Sequence, residues 1–270
     1  MKRGVLLHLD LPLKKTGGLS MFDLTGKTAF VTGGASGIGQ AIAVALAMQG
    51  ADVAIADLPN ASFEETTSRI KGFNRRCLNV KMDVRDRDQR EEGIAFAEKE
   101  FKGIDILVNN AGINRPAPGL EVTEENWDMT YDINVKAGFF IAQRIAPGMI
   151  EKGWGRVIFI SSQSGLVGIP GQPVYCSAKG AIVQLVRTLG LEWAKYGVTV
   201  NSIAPTFIRT KLTEKRLEQK EFRDFVLGKI PGGKLAEVED VAHAAVFLAS
   251  TEAGMVNCHT LSVDGGWTAW

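Results

Sequence analysis

The chain is predicted to be α/β, with one doubly wound parallel sheet of about seven strands covered by helices on both faces. Three observations carry that expectation. From Lys27 onward, short β-branched runs alternate with helical patterns, the sign of a parallel sheet buried on both sides. Near the N-terminus a strand-like run passes through clustered glycines straight into an apolar helical run. A length of 270 residues and a hydrophobic fraction of 45% suit one domain with a full-sized core.

The first strand is expected at 27–32, KTAFVT, where β-branched and aromatic residues dominate. Gly33, Gly37 and Gly39 follow in TGGASGIG, and Gln40 to Met48 supply the helix. Strand, glycine turn and helix in that order make a Rossmann-type dinucleotide site. Glycine lets the backbone approach a pyrophosphate, and the helix N-terminus offers unpaired N–H groups and partial positive charge. The spacing is G-x-x-x-G-x-G rather than G-x-G-x-x-G, and alone it would also serve as a plain turn. The second strand, 52–56, ends at Asp57, eighteen residues past Gly39. A carboxylate at that distance accepts hydrogen bonds from the adenosine ribose hydroxyls and repels a 2′-phosphate. Ser36 stands where a 2′-phosphate site would use Arg or Lys, so both residues point to NAD over NADP. Asp57 could otherwise be a helix cap or a solvated strand end.

Further strands are expected at 77–82, 105–109, 156–160, 198–203 and 259–263, with helices between them, the longest near 124–151 and 174–196. Residues 207–230 insert a charged helical segment after the sixth strand. Ligands bind at the carboxyl ends of strands in open sheets, so this insertion is expected to be a mobile lid; the alternative is a static helix pair. Residues 1–20 stand outside the domain of 21–270. Lys2 and Arg3 precede VLLHLDLPL, but Asp10 and Pro12 interrupt the apolar run and no small-residue cleavage site follows. A disordered extension or an upstream start is expected there, or else a docking arm.

Tyr175 and Lys179 carry the chemistry. Four residues apart on a helix, they share a face, which puts an ammonium near a phenol. A free phenol has a pKa of about 10, and a neighbouring positive charge favours phenolate. The expectation is a tyrosine base of lowered pKa. Taken alone, the pair could be two half-exposed helix residues. Ser162 lies thirteen residues before the tyrosine.

These pieces together resemble the classical short-chain dehydrogenase/reductase family from about Phe22 to the C-terminus. TGGASGIG matches the family's glycine turn, including Ile38. Asn109, Asn110, Ala111 and Gly112 match its Asn-Asn-Ala-Gly, and Asp83 followed by Val84 its adenine-binding aspartate. Its catalytic asparagine falls at Asn134, its serine at Ser162, and its Tyr-x-x-x-Lys at Tyr175 and Lys179. The resemblance implies further cofactor contacts at Pro205, Thr206, Ile208 and Thr210. It implies that Ser162 orients the substrate oxygen and Tyr175 takes its proton. Lys179 then lowers the tyrosine pKa and holds the nicotinamide ribose, and Asn134 positions a water leading to solvent. One departure is informative: Pro205-Thr206 replaces the usual Pro-Gly. With SQSG and YCSAK, it looks like the branch acting on sugar alcohols, the galactitol- and threitol-type dehydrogenases.

The expected reaction is NAD-dependent interconversion of a polyol-like secondary alcohol and its ketone. Asn114, Gln163 and Ser164, together with Arg115, Arg209 and Lys211, fall near strand ends and could line a polar substrate pocket or form a solvated rim. A 3-oxoacyl-carrier-protein reductase is the alternative enzyme, normally using NADPH. A catalytically inactive NAD sensor or scaffold is the alternative of another class. The net charge of +1 gives no reason to expect nucleic acid or a membrane surface as partner. Cys77, Cys176 and Cys258 are scattered, which suits a reducing, cytoplasmic setting. His8, His243 and His259 lack ligand spacing, so no metal is expected. The resemblance also implies a homotetramer or homodimer, with Trp267 and Trp270 suited to its interface.

Overall fold

In the computed structural model, residues 21–210 and 213–269 are described; the expectations for residues 1–20, Lys211 and Trp270 lie outside them. Seven strands form one sheet: β1 (Thr28–Thr32), β2 (Asp52–Asp57), β3 (Cys77–Lys81), β4 (Ile106–Asn109), β5 (Gly155–Ile160), β6 (Val198–Pro205) and β7 (Thr260–Val263). Every pairing is parallel, in the order β3-β2-β1-β4-β5-β6-β7. The chain reverses its direction of travel between β1 and β4, and ligands bind at such a switch point, outside the carboxyl ends.

Both faces of the sheet are covered, which is why the central strands are apolar throughout rather than alternating. Helices α1 (Gly37–Met48), α2 (Glu64–Lys71) and α9 (Val238–Ala249) bury one face together with Ala29 and Val31. On the other, Phe30 packs with α3 (Arg87–Phe101), α5 (Ala137–Lys152) and α6 (Pro173–Trp193). Between them in sequence lie α4 (Glu124–Tyr131), α7 (Glu214–Leu217) and α8 (Lys220–Lys229). Among the described residues no helix is long and apolar enough to cross a membrane.

The long helix expected near 124–151 is not continuous. A π-helical turn, Asp132–Lys136, separates α4 from α5. Asn134 explains it. Its Nδ2 donates to the Thr130 carbonyl at 2.9 Å, the acceptor an α-helix would give to the backbone N–H of residue 134. The side chain displaces the ladder, and the turn widens.

Residues 207–230 hold the two short helices α7 and α8 on a small aromatic core. Phe207 meets Phe222 edge-on at 5.4 Å, and Trp267 stacks obliquely on Phe207 at 5.6 Å. Trp267 is therefore buried within its own chain, against Leu217, Val226 and Ile230, which corrects its assignment to a subunit interface. Phe207 and Phe225 gave it a nearer partner.

Candidate active site

A cleft of about 1370 Å³ follows the carboxyl ends of the strands from the glycine turn to the segment after β6. Its glycine-turn end is built from the turns after β1, β2 and β3. Gly37 opens α1 with φ +57°, and a Cβ built there would meet nothing within 4 Å, so the space beside it is free for a ligand. Gly39 is required for another reason: a Cβ there would collide with the Gly33 carbonyl oxygen, and the helix could not enter the turn. Asp57 accepts from the backbone N–H of Ala35 at 3.0 Å and of Leu58 at 2.8 Å. It ties the glycine turn to β2 while standing on the cleft wall. Asp83 is gripped by Arg85, with Nη2 to Oδ2 at 2.6 Å, and that bond holds its carboxyl below the usual carboxylate range. Asn110 donates to the carbonyls of Thr32 at 3.0 Å and Gly33 at 3.2 Å, bracing the turn from β4.

The other end is formed after β4, β5 and β6. Tyr175 and Lys179 lie one turn apart on α6, both on the cleft wall, with Lys179 Nζ 5.6 Å from the centroid of the phenol ring. Lys179 Nζ donates to the Ile160 carbonyl at 2.8 Å. Ser162 accepts from the Ser164 N–H at 3.1 Å and donates to Gln163 Oε1 at 3.2 Å. Asn134 donates to the Ile113 carbonyl at 3.0 Å, while its Oδ1 is buried without a partner. That oxygen is aimed at the lysine's neighbourhood: a Cβ on Gly112 would stand 2.6 Å from it and 3.5 Å from Lys179 Nζ.

The electrostatics overturn one expectation. Tyr175 keeps some surface open to the cleft, yet desolvation pushes its phenol up to about 12, against a smaller pull from its hydrogen bond with Ser162. Burial likewise lowers Lys179 to about 8. In the protein alone, loss of water is the largest cause of both shifts.

The remaining expected residues divide cleanly. Gly33, Ser36, Ile38, Val84, Ala111, Gly112, Pro205, Thr206, Ile208 and Thr210 all line the cleft, as do Asn114, Arg115, Gln163, Ser164 and Arg209. Gly39 and Asn109 do not; they sit behind the wall, and Asn109 donates to the Gly138 carbonyl at 3.2 Å. Gln163 and Ser164 are buried, whereas Arg115 and Arg209 are exposed at the rim. Sequence reasoning missed Gln172, which lines the cleft beside Tyr175. Its place three residues before the tyrosine was the available signal.

These residues fit a dinucleotide. The open approach at Gly37, the helix N-terminus behind it, and the buried, unpartnered Thr206 Oγ1 at the opposite end would each be completed by one.

Comparison with known proteins agrees. The family model described as Enoyl-(Acyl carrier protein) reductase matches residues 33–268. A gluconate 5-dehydrogenase of Gluconobacter oxydans is 36% identical over 248 residues, covering 92% of this chain and 97% of that protein. A D-threitol dehydrogenase of Mycolicibacterium smegmatis is 38% identical over 247 residues, covering 92% and 95%. The solved structure of a gluconate 5-dehydrogenase from Burkholderia cenocepacia, in complex with NADP and tartrate, superposes with a TM-score of 0.87 at 34% identity, covering 93% and 99%.

Proposed function

The chain belongs to the classical short-chain dehydrogenase/reductase family, and we propose that it interconverts a polyol or sugar-like secondary alcohol and its ketone with NAD. One observation carries the reading: Tyr175 and Lys179 share a face of α6 in the wall of a cleft that starts at a dinucleotide-type glycine turn. When bound there, the nicotinamide supplies the hydride acceptor or donor.

The chain's own residues do the rest. Ser162 Oγ holds the substrate oxygen, and Tyr175 Oη takes its proton in oxidation and returns it in reduction. With its phenol at about 12 in the protein alone, Tyr175 needs a compensating charge before it can ionise. Lys179 provides it when protonated, and its own value of about 8 leaves that proton exchangeable near neutral pH. Asn134 Oδ1, without a protein partner, is the acceptor for a water that carries the lysine proton toward solvent. Residues 207–230 act as a lid from the aromatic core around Phe207.

Substrate class follows from the lining. Gln163 and Ser164 are buried polar side chains, and a site of that kind favours substrates whose hydroxyls pair with it. The gluconate and threitol dehydrogenases named above, with polyhydroxy substrates in their names, support the same class. NAD preference rests on Asp57 and Ser36 at the adenosine end. The Burkholderia relative holds NADP, so preference is the point to measure.

The test is a panel of four- to six-carbon polyols and their ketoses with NAD and NADP, read by nicotinamide absorbance. Turnover of polyols with NAD is expected. Turnover confined to NADPH and 3-oxoacyl thioesters would replace this reading with the acyl reductase, and no nicotinamide signal on any substrate would leave a binding scaffold. Asp57→Ala should narrow the NAD-to-NADP ratio of kcat/KM by about tenfold or more, the loss of a charge-assisted bond to the ribose. Assembly as a homotetramer or homodimer in the cytoplasm belongs to the same proposal, and light scattering reads the assembly.

A further inference from the structure

The catalytic wall holds a side-chain pair that no step above uses. Gln172 stands at the N-terminal boundary of α6 and is 2% exposed. Such a position commonly caps the first helical N–H groups, yet the Gln172 side chain makes no capping bond. Its Oε1 instead accepts from Asn114 Nδ2 at 3.0 Å, across 58 residues of sequence. One bond between two primary amides consumes one donor group and one acceptor. Gln172 Nε2 and Asn114 Oδ1 are left buried, each without a hydrogen-bond partner. Rotating both amides by half a turn exchanges the roles but leaves the same complement, one N–H donor and one carbonyl acceptor. Both residues line the cleft, and Gln172 precedes Tyr175 by three residues at the start of the same helix.

A donor beside an acceptor selects its ligand. A hydroxyl satisfies both at once, accepting from Nε2 and donating to Oδ1. A carboxylate can only accept, which sets its second oxygen against a carbonyl. A methylene leaves both amide groups unpaired and dry. The geometry points to the Asn114–Gln172 pair as a specificity site for a second substrate hydroxyl, one or two carbons from the carbinol that meets Tyr175. This role rests on the dehydrogenase chemistry proposed above. It narrows the substrate to a diol unit and disfavours an acyl chain, which carries no hydroxyl there.

The experiment compares butane-2,3-diol with butan-2-ol, and pentane-2,4-diol with pentan-2-ol. The wild-type protein should favour at least one diol over its mono-alcohol by tenfold or more in kcat/KM. Gln172→Met, which keeps volume and removes the donor, should cut that ratio at least tenfold. Asn114→Leu attacks the pair from its other member and should do the same, which covers a failure of either variant to fold. Calorimetric binding of the diol to protein saturated with NADH gives a readout without turnover, and Gln172→Met should weaken it by a similar factor. A ratio and a binding constant unchanged within threefold in both variants overturn the role, while turnover of the mono-alcohols leaves the dehydrogenase reading intact. Diol binding that depends on Gln172 with no turnover of any alcohol does the reverse.

Discussion

The two ends of the cleft treat their polar groups in opposite ways. At the glycine-turn end Asp57, Asp83 and Asn110 all find partners inside the chain, in Ala35, Leu58, Arg85, Thr32 and Gly33. At the catalytic end Asn114 Oδ1, Asn134 Oδ1, Gln172 Nε2 and Thr206 Oγ1 are buried without any. Two other buried atoms share that condition among the described residues: Asn109 Oδ1, just behind the wall, and Thr199 Oγ1 at the far end of β6, for which we have no account. Each unpaired buried group costs about 1–3 kcal/mol. One end is a finished cradle. The other holds open valences, and an open valence at a site is a statement about what is to be bound there.

The largest effect should come from the catalytic end. Tyr175→Phe removes the proposed proton acceptor and little else, so kcat should fall about a thousandfold or more while NADH affinity, read by fluorescence, changes little. Retained turnover would mean that this end does not hold the base. Equal losses of turnover and of cofactor affinity would mean that the two ends are not separate in function.

The same division governs how much was legible in the sequence. All seven strands, the glycine turn and Asp57 could be read because they rest on local signals: period, β-branching, and glycine where a backbone must approach closely. The π turn at Asp132–Lys136 could not, since it arises from one side chain, Asn134, competing with the helix ladder. The raised Tyr175 phenol escaped for a different reason. Desolvation is a property of the walls, and the walls come from segments far apart in the chain. Gln172 was missed because its meaning lies in a partner 58 residues away. The sequence places Trp267 only near the chain's end, while its partners Phe207 and Phe225 lie some forty to sixty residues earlier.

Next in size is a pH effect whose two opposing parts, from Lys179 and Tyr175, both lie at the catalytic end. Lys179 is lowered from 10.5 to about 8, so between those values the folded protein has shed a proton that the unfolded chain still holds. Stability from this group therefore rises with pH across that window. The increment is on the order of 3 kcal/mol. Tyr175, raised from 10.0 to about 12, works the other way above pH 10.0, where the unfolded chain ionises first. Asp83 is lowered by Arg85; its contribution is present above the ordinary carboxylate range and is lost as pH falls through its folded value. Lys179→Met should erase the alkaline rise. Measured by urea unfolding, the stability of the variant relative to wild type should decline steadily from pH 8 to 10.5. A constant difference would show that the lysine is hydrated in the free protein.

Asn110→Ala tests the finished cradle. It removes donors to two carbonyls of the glycine turn, and about 2 kcal/mol of stability should go with them. The loss should be the same with or without substrate, since Asn110 works on the turn and not on the alcohol. A variant of unchanged stability and lowered NAD affinity would instead make Asn110 a ligand contact.

Thr206→Val is the smallest change and the sharpest. The substitution keeps the β-branched shape, and the backbone bond from Thr206 N–H to the Val263 carbonyl at 3.1 Å does not depend on the side chain. What disappears is one buried hydroxyl without a partner. Removing a group that folding has stripped of water and given nothing in return should stabilise the free protein, by up to about 1 kcal/mol. Cofactor affinity should move in the opposite direction, because the hydroxyl is then missing from the complex it would complete. A gain in Tm together with a weaker Kd for NADH is the signature of an open valence. A loss in both would place Thr206 with Asn110, as part of the frame, and would move the boundary between the two ends deeper into the catalytic side.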